Sequence, residues 1–270
     1  MMNYQSMALL IIISLIALAA YFFVKKMRSG QPVKNQELAE SYEKLLNEHV
    51  HFYQKLSDTG KVRFQTMIQD FLQYVRIEGV GIEVTVLDRV LVAASGVIPI
   101  FGFPDWKYKN LTNVILYPDT FDKEFQFDGE NRNIMGMVGS GNMNGQMLLS
   151  RAALVKGFSI SSGAGNTAIH EFVHLLDKAD GATDGIPESL MAHEYAVPWL
   201  KMMHSEMHRI EKGNSDINPY ALTDEAEFLA VTAEYFFEKP EELQHKHPEL
   251  YQQLSQIFGQ SPDHPDHYRC

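Results

Sequence analysis

Two histidines and a glutamate in the pattern HExxH are the residues of this chain whose spacing predicts chemistry. His170 and His174 are four residues apart, so on an α-helix both imidazoles lie on one face and can bind one cation. Two neutral imidazoles suit zinc, and a catalytic zinc site takes one more protein ligand and keeps a position open for water. Glu171 would lie beside that position, where its carboxylate can accept a proton from the water. The pattern therefore predicts one Zn²⁺ ion and hydrolysis by an activated water.

An amphipathic helix without a metal is the alternative interpretation of this pattern, but the neighbouring residues argue against it. They are almost all apolar, namely Ile169, Phe172, Val173, Leu175 and Leu176. Two histidines on such a helix would be partly buried and would need partners. Asp177 lies on the same helix face and could be the acceptor that fixes the tautomer of a histidine. The surroundings therefore favour the zinc site.

The third zinc ligand must come from elsewhere, and two candidates compete. Asp180 lies ten residues after His170, which is the ligand spacing of the pattern HExxHxxGxxH. That pattern requires glycine at position 177, where this chain has aspartate, so the chain could not reverse as sharply. The other arrangement takes a glutamate from a separate helix further along the chain.

Residues 223–238 are the best candidate for that second helix. Thr223 suits its N-cap, and Lys239 and Pro240 end it. Its acidic residues are Glu225, Glu227, Glu234 and Glu238. Glu227 has the most apolar neighbours of the four, so we expect it to be the third ligand.

Several segments together carry a family resemblance that is more specific than HExxH alone. They are residues 84–96, 113–118, 170–177, 218–221, 224–227 and 233–237. Through these segments the chain resembles the Mlc titration factor A family of zinc peptidases, a gluzincin-like group with a catalytic core similar to that of anthrax lethal factor. The resemblance extends from about residue 52 to about residue 248.

This resemblance implies the roles of individual residues. It makes His170, His174 and Glu227 the zinc ligands and Glu171 the general base. It also places a tyrosine seven residues before the ligand glutamate, which is Tyr220 in this chain. A phenol O–H at that point could stabilise the negative charge that develops on the oxygen of the attacked carbonyl.

The resemblance also implies what the protein acts on. A peptide or protein is the expected substrate, and the family is described as having aminopeptidase-like activity on small substrates. The sequence does not distinguish exopeptidase from endopeptidase cleavage. The family further implies a regulatory partner, since Mlc titration factor A sequesters a transcriptional repressor of sugar uptake. Binding of such a partner, with peptidase activity secondary, is therefore the alternative function.

Residues 7–24 contain no charged side chain and predict a transmembrane helix. A helix of that length spans about 27 Å, enough to cross the hydrocarbon core of a bilayer. A cleaved signal peptide is the alternative, but residues 1–6 lack the positive charge that it requires. Lys25, Lys26 and Arg28 follow the apolar run and predict a single-pass protein of the inner (cytoplasmic) membrane whose catalytic domain faces the cytoplasm. A secreted or periplasmic protease is the weaker alternative.

Composition excludes other classes of protein. The net charge is −11, and such an acidic surface repels nucleic acid, so we expect no nucleic-acid partner. Cys270 is the only cysteine, so no intramolecular disulfide can form.

Apolar periodicity predicts an α+β fold that is mostly helical with a small mixed sheet, and the HExxH motif with the family resemblance implies that it is a zincin-like metallopeptidase domain. Residues 82–86 alternate like a strand, residues 90–94 fit either a strand or a buried helix, and residues 114–117 and 146–150 predict strands. In the gluzincin-like folds that the resemblance implies, an edge strand beside the zinc binds the substrate backbone, and we expect residues 147–150 to form that edge.

The predicted domain organisation has four parts. Residues 1–28 form the transmembrane anchor with its basic flank, and residues 29–51 form a tether and the start of the helical region. Residues 52–258 form the metallopeptidase domain, and residues 259–270 form a disordered tail.

Overall fold

The computed structural model describes residues 41–127, 132–139, 143–159 and 163–263. Contacts divide the chain into two compact units, Met1–Lys44 and Leu45–Cys270. The second unit contains the elements described below. The predicted anchor and most of the predicted tail lie outside the described residues, and the four predicted domain boundaries stay predictions.

The predicted membrane location is corrected by the structure. Among the helices that it describes, none is both long enough and apolar enough to cross a membrane. Asp58–Tyr74, for example, has 17 residues and carries several charged side chains. The predicted span at residues 7–24 lies outside the described part of the chain. A single-pass membrane protein is therefore not supported, and the assignment to the inner membrane is withdrawn.

Most of the second unit is helical. Helical residues 45–49 and His51–Gln54 come first. The longer helices follow as α1 (Asp58–Tyr74), α2 (Val86–Ile100), α3 (Arg151–Gly157), α4 (Thr167–Asp177), α5 (Ala196–Glu211), α6 (Glu225–Glu238), α7 (Pro240–Lys246) and α8 (Pro248–Phe258). Short 3₁₀ turns occupy Lys178–Asp180, His193–Tyr195 and Pro219–Leu222.

A small mixed sheet completes the unit. Its strands are β1 (Arg76–Gly79), β2 (Asn113–Tyr117), β3 (Gly136–Val138) and β4 (Gln146–Ser150), in the order β1-β2-β4-β3. β1, β2 and β4 are parallel, and β3 is antiparallel to β4. The prediction of a mostly helical α+β fold with a small mixed sheet is confirmed.

The strand predicted at residues 82–86 is wrong, because helix α2 begins there. Thr85 Oγ1 accepts a hydrogen bond from the backbone N–H of Asp88 at 3.2 Å, and the backbone N–H of Thr85 donates to Asp88 Oδ2 at 2.8 Å. This reciprocal cap starts the helix at Val86. The apolar run that follows belongs to α2 and is buried, so residues 90–94 resolve as a buried helix.

The predicted substrate-binding edge is also wrong, because β4 lies inside the sheet between β2 and β3. The edge strand is β3. Ser150 N donates to Met135 O at 2.7 Å and Gly139 N donates to Gln146 O at 2.9 Å, which sets the alternation of the antiparallel pair. The backbone groups of Gly136 and Val138 therefore face away from β4, towards the open edge.

Candidate metal centre

Helix α4 is positioned by its cap and by close packing. Asn166 caps it, with Oδ1 accepting from Ile169 N at 3.2 Å. The helix packs against α2 and α6. A Cβ at Gly96 of α2 would lie 3.0 Å from Phe172 of α4, so the absence of a side chain there allows the two helices to approach closely. This packing buries His170 and Glu171 and leaves His174 half-buried.

The structure brings His170, His174 and Glu227 together. Glu227 lies in the first turn of α6, where its N–H donates to Oδ1 of the N-cap Asp224 at 2.8 Å. One ligand atom from each of the three residues lies within 4.8 Å of the other two. The two Nε2 atoms are 3.0 Å apart, and the Glu227 oxygens lie 3.0 Å from His170 Nε2 and 3.5 Å from His174 Nε2.

These distances fit a small divalent cation. Ligand atoms that lie about 2.0–2.1 Å from a tetrahedral zinc ion are about 3.3 Å from one another. Glu227 Oε2 is buried and lies 3.0 Å from His170 Nε2, so it faces the other candidate ligands and is available to a cation that replaces the proton between the two atoms. The donor set of two imidazole nitrogens and one carboxylate oxygen is one that zinc accepts.

The electrostatics of the cluster also favour a positive charge at this point. Burial alone would lower the pKa of His170, but hydrogen bonds to Glu227 and Glu234 raise it to about 10. Burial alone would raise the pKa of Glu227, but the two imidazoles lower it to about 2. The surroundings of His170 Nε2 thus stabilise a cation, which can be a proton or a metal ion.

Glu234 of α6 contacts Nδ1 of His170, the ring nitrogen that is not part of the cluster. Glu234 is one of the four acidic residues considered for the third ligand. His170 Nδ1 donates to Glu234 Oε1 at 2.7 Å, and Asn166 N donates to Glu234 Oε2.

The hypothesis that Asp177 fixes the tautomer of a histidine is wrong for His170. Asp177 Oδ2 instead accepts from Gly185 N at 3.0 Å, and its Oδ1 has no hydrogen-bond partner in the described part of the chain.

Asp180, the competing third ligand, lies outside the cluster. Its Oδ1 accepts from Ala182 N and its Oδ2 from Glu188 N, each at 3.0 Å. Both carboxylate oxygens therefore hold the chain that follows α4, and Asp180 is exposed. The absence of glycine at position 177 had also argued against Asp180 as the third ligand.

Glu171 borders the same cleft and packs against the edge strand. A Cβ at Gly136 would lie 2.6 Å from Glu171 Cγ and 2.7 Å from its Oε1, so only glycine leaves room for this carboxylate. Burial raises the pKa of Glu171, and the imidazoles of His170 and His174 lower it in part. The carboxylate is thus held in a position fixed by the sheet.

Tyr220 lies at the mouth of a cleft of about 390 Å³ that the cluster and Glu171 also line. It belongs to the turn Pro219–Leu222, which begins at Asn218, whose Oδ1 accepts from Tyr220 N at 3.0 Å. Tyr220 is 53% exposed, and the centre of its ring is 6.2 Å from that of His170. Burial and the charges of Glu227 and Glu171 raise the pKa of the Tyr220 phenol, which keeps it a hydrogen-bond donor.

Gly136 was not among the residues singled out in the sequence, and the sequence gives no clear signal for it. It is the first residue of the short strand β3, and other glycines lie near it in the chain at positions 129, 139, 141 and 145. The role of Glu234 also had no signal, because 64 residues separate it from His170.

Comparisons with known proteins cover most of this chain. The family described as glucose-regulated metallo-peptidase M90 matches residues 24–259. An uncharacterized protein of Synechocystis sp. is 29% identical over an alignment of 236 positions that covers 83% of this chain and 86% of that protein. Mlc titration factor A of Escherichia fergusonii is 30% identical over 220 residues, 77% of this chain and 82% of that protein. Mlc titration factor A of Salmonella arizonae is 27% identical over 246 residues, 86% of this chain and 96% of that protein.

Proposed function

The chain belongs to the glucose-regulated metallo-peptidase M90 family, and on that premise we propose that it is a zinc peptidase that cleaves peptide bonds with water. The resemblance to the Mlc titration factor A family, seen first in the sequence, is confirmed by the relatives of that name. One observation carries the proposal. The side chains of His170, His174 and Glu227 converge in a cleft that Glu171 also lines.

His170, His174 and Glu227 would hold the zinc ion. When bound, Zn²⁺ would supply a Lewis acid that lowers the pKa of water and polarises a substrate carbonyl. Glu234 fixes the tautomer of His170, because a carboxylate only accepts hydrogen bonds and so keeps the proton on Nδ1. The lone pair of Nε2 then faces the cluster.

Glu171 would act as the general base. Its carboxylate accepts a proton from the attacking water and returns it to the leaving amine. Burial raises the pKa of Glu171 from the ordinary value of a glutamate towards neutral pH. A carboxylate with such a pKa is more effective both in accepting the proton and in returning it. Gly136 leaves room for the carboxylate in this position, since a larger residue there would collide with it.

Tyr220 would donate a hydrogen bond to the carbonyl oxygen as negative charge develops on it. Its phenol stays protonated, because its raised pKa lies above neutral pH. The exposed position at the mouth of the cleft leaves the ring free to approach a bound peptide. A hydrogen bond of this kind contributes most in the transition state, where the oxygen carries the most negative charge.

The substrate backbone would pair with the open edge of β3. Gly136 and Val138 direct their N–H and C=O groups away from β4, and both residues line the cleft. An extended peptide that adds to this edge as a strand would lie alongside Glu171, which packs against Gly136.

The Glu171→Gln variant tests the proposal. The purified protein and this variant are incubated with a peptide library, with and without a chelator, and the products are identified by mass spectrometry. The variant should retain its metal and its fold and lose about 10²- to 10⁴-fold in turnover. Glu211→Gln, which changes an exposed glutamate of α5, is the matched control. Cleavage by Glu171→Gln at the wild-type rate contradicts the proposal. Removal of single N-terminal residues would identify an aminopeptidase, and internal cleavage an endopeptidase.

A second function is the binding of a regulatory protein, favoured by the name Mlc titration factor A that several relatives carry. In this alternative the chain sequesters a transcriptional repressor and its peptidase activity is secondary. A pull-down with a repressor of this class separates the two functions. Binding that survives the loss of metal in Glu227→Ala supports the binding role, whereas peptidase activity would be lost in that variant.

A further inference from the structure

A second cavity, distinct from the cleft at the metal centre, contains several lysines. It has a volume of about 660 Å³, against about 390 Å³ for the cleft. Lys107, Lys109 and Lys178 line it together with Trp106. This volume is within the range of sites that bind small molecules or short peptide segments.

The charge of this cavity is opposite to that of the whole chain. The chain has 34 acidic and 23 basic residues, yet the cavity has three lysines and a single carboxylate, that of Asp105. A concave surface of one charge raises the local concentration of ions of the opposite charge. In this cavity the attracted groups are anions.

The segment that carries Lys107 and Lys109 packs against α4, the helix of His170 and His174. Tyr108 is buried between them, with its O–H donating to Gly96 O at 2.7 Å and its ring centre 5.1 Å from that of Phe172 on α4. Because Tyr108 points inward, Lys107 and Lys109 on either side are exposed. The segment with Lys107 and Lys109 is therefore held in a fixed position relative to Glu171, which precedes Phe172 in the chain.

Lys178 joins the cavity to the cleft, since it lines both. Its Nζ donates to Gly139 O at 3.3 Å, and Gly139 directly follows strand β3. Lys178 therefore lies between the second cavity and the cleft in which a peptide paired with β3 would be bound.

We propose that this lysine-lined cavity binds acidic side chains of the peptide substrate, at positions beyond those that pair with β3. This inference rests on the proposed peptidase function. It specifies the substrate class as peptides that carry a cluster of Asp or Glu on one side of the cleaved bond. Trp106 supplies an apolar and aromatic surface for the rest of these residues.

Binding is measured first without catalysis, by tryptophan fluorescence of the full-length Glu171→Gln protein. The chain has two tryptophans, and Trp199 is fully buried, so Trp106 reports on the cavity. The probes are a peptide with a glutamate cluster and the same peptide with every glutamate replaced by glutamine. The glutamate peptide should bind about three- to tenfold more tightly at low salt, as expected for a few exposed ion pairs, and this difference should shrink at high salt. Trp106→Phe should remove the signal.

Lysine variants then test the origin of the preference. In Lys107→Ala/Lys109→Ala the preference for the glutamate peptide should fall sharply, since Lys178 alone remains of the three lysines that line the cavity. Lys201→Ala, which changes an exposed lysine of α5, should retain the full difference. Lys109→Ala is measured alone as well, because Lys107 also lies 5.6 Å from the ring centre of Tyr74. Equal binding of both peptides to the parent Glu171→Gln protein overturns the inference. The inference is also overturned if the preference is undiminished in the double lysine variant. Displacement of the peptide by inorganic phosphate at low concentration would overturn it as well, because the cavity would then be a site for small free anions.

Cleavage assays with active protein separate this inference from the proposed function. The ratio of kcat/KM for the two peptides should fall about three- to tenfold in Lys107→Ala/Lys109→Ala, with cleavage of the glutamine peptide unchanged. Cleavage of both peptides at equal rates overturns the substrate class and leaves the peptidase function intact. Glutamate-dependent binding without any cleavage contradicts the peptidase function, but it supports the cavity as a binding site for acidic side chains.

Discussion

His170 Nδ1 donates a hydrogen bond to Glu234 Oε1 at 2.7 Å, and this contact links the two helices that build the metal centre. The other oxygen of Glu234 accepts from Asn166 N at the start of α4. One carboxylate thus fixes both the ring of His170 and the beginning of the helix that carries it. Residues that orient a metal ligand in this way affect metal affinity without touching the metal.

Glu234→Gln should therefore weaken metal binding. An amide in place of the carboxylate removes the charge that stabilises the Nδ1 proton of His170, so its Nε2 becomes a poorer ligand. We expect the affinity for Zn²⁺ to fall about 10- to 100-fold, measured by competition with a chromophoric chelator.

Glu238→Gln is the matched control for this experiment. Glu238 lies one turn further along α6 and accepts from Asn166 Nδ2 at 2.8 Å, but no hydrogen bond between it and a cluster residue is seen among the described residues. Zinc affinity should be unchanged in this variant. Equal losses in Glu234→Gln and Glu238→Gln would mean that the position of α4, and not the contact with His170, determines the affinity.

The sequence predicted the parts of the site that depend on local geometry. The spacing of His170 and His174 places both on one helix face whatever the rest of the fold does. Glu227 could be chosen because its neighbours are apolar, and that choice agrees with its position in the cluster. The choice of Glu227 over Asp180 was also favoured by the absence of glycine at position 177.

The errors concern contacts between segments distant in the chain. Asp177 shares a helix face with the histidines, but the loop that returns at Gly185 uses its carboxylate. Gln146–Ser150 was correctly predicted as a strand. Its place inside the sheet depends on β3, a strand of three residues with no clear pattern. Such pairings are decided by tertiary packing and not by local preference.

Glu227→Ala should abolish stoichiometric metal binding, whereas Asp180→Ala should not change it. Glu227 contributes the carboxylate oxygen of the cluster, and Asp180 uses both of its oxygens to bind backbone N–H groups. Metal content measured on purified proteins by mass spectrometry tests the difference. Metal loss in Asp180→Ala together with retention in Glu227→Ala would reverse the assignment.

Gly136→Ala should reduce turnover and leave metal binding intact. The new methyl group would lie 2.6 Å from Glu171 Cγ, so the carboxylate must move, and a displacement of about 1 Å at a catalytic group can cost about 10²-fold in rate. Met135→Ala, which changes an exposed side chain next to Gly136, is the control. Steady-state kinetics together with metal content decide the result. An unchanged kcat in Gly136→Ala would show that Glu171 needs no fixed position.

Glu238 should make the free energy of unfolding depend on pH near neutrality. Burial raises the pKa of Glu238 to about 7, the hydrogen bond from Asn166 opposes this rise, and the charge of Glu234 adds to it. The unfolded chain has the ordinary glutamate pKa near 4.3, so the folded protein binds the extra proton between these values and loses stability as the pH rises through them. Glu238→Gln removes that cost, so its advantage over the wild type should be small at pH 4.5 and grow by at most about 3 kcal/mol between pH 4.5 and pH 8. Urea unfolding of both proteins at a series of pH values measures it, and an advantage that does not grow with pH would contradict the raised pKa.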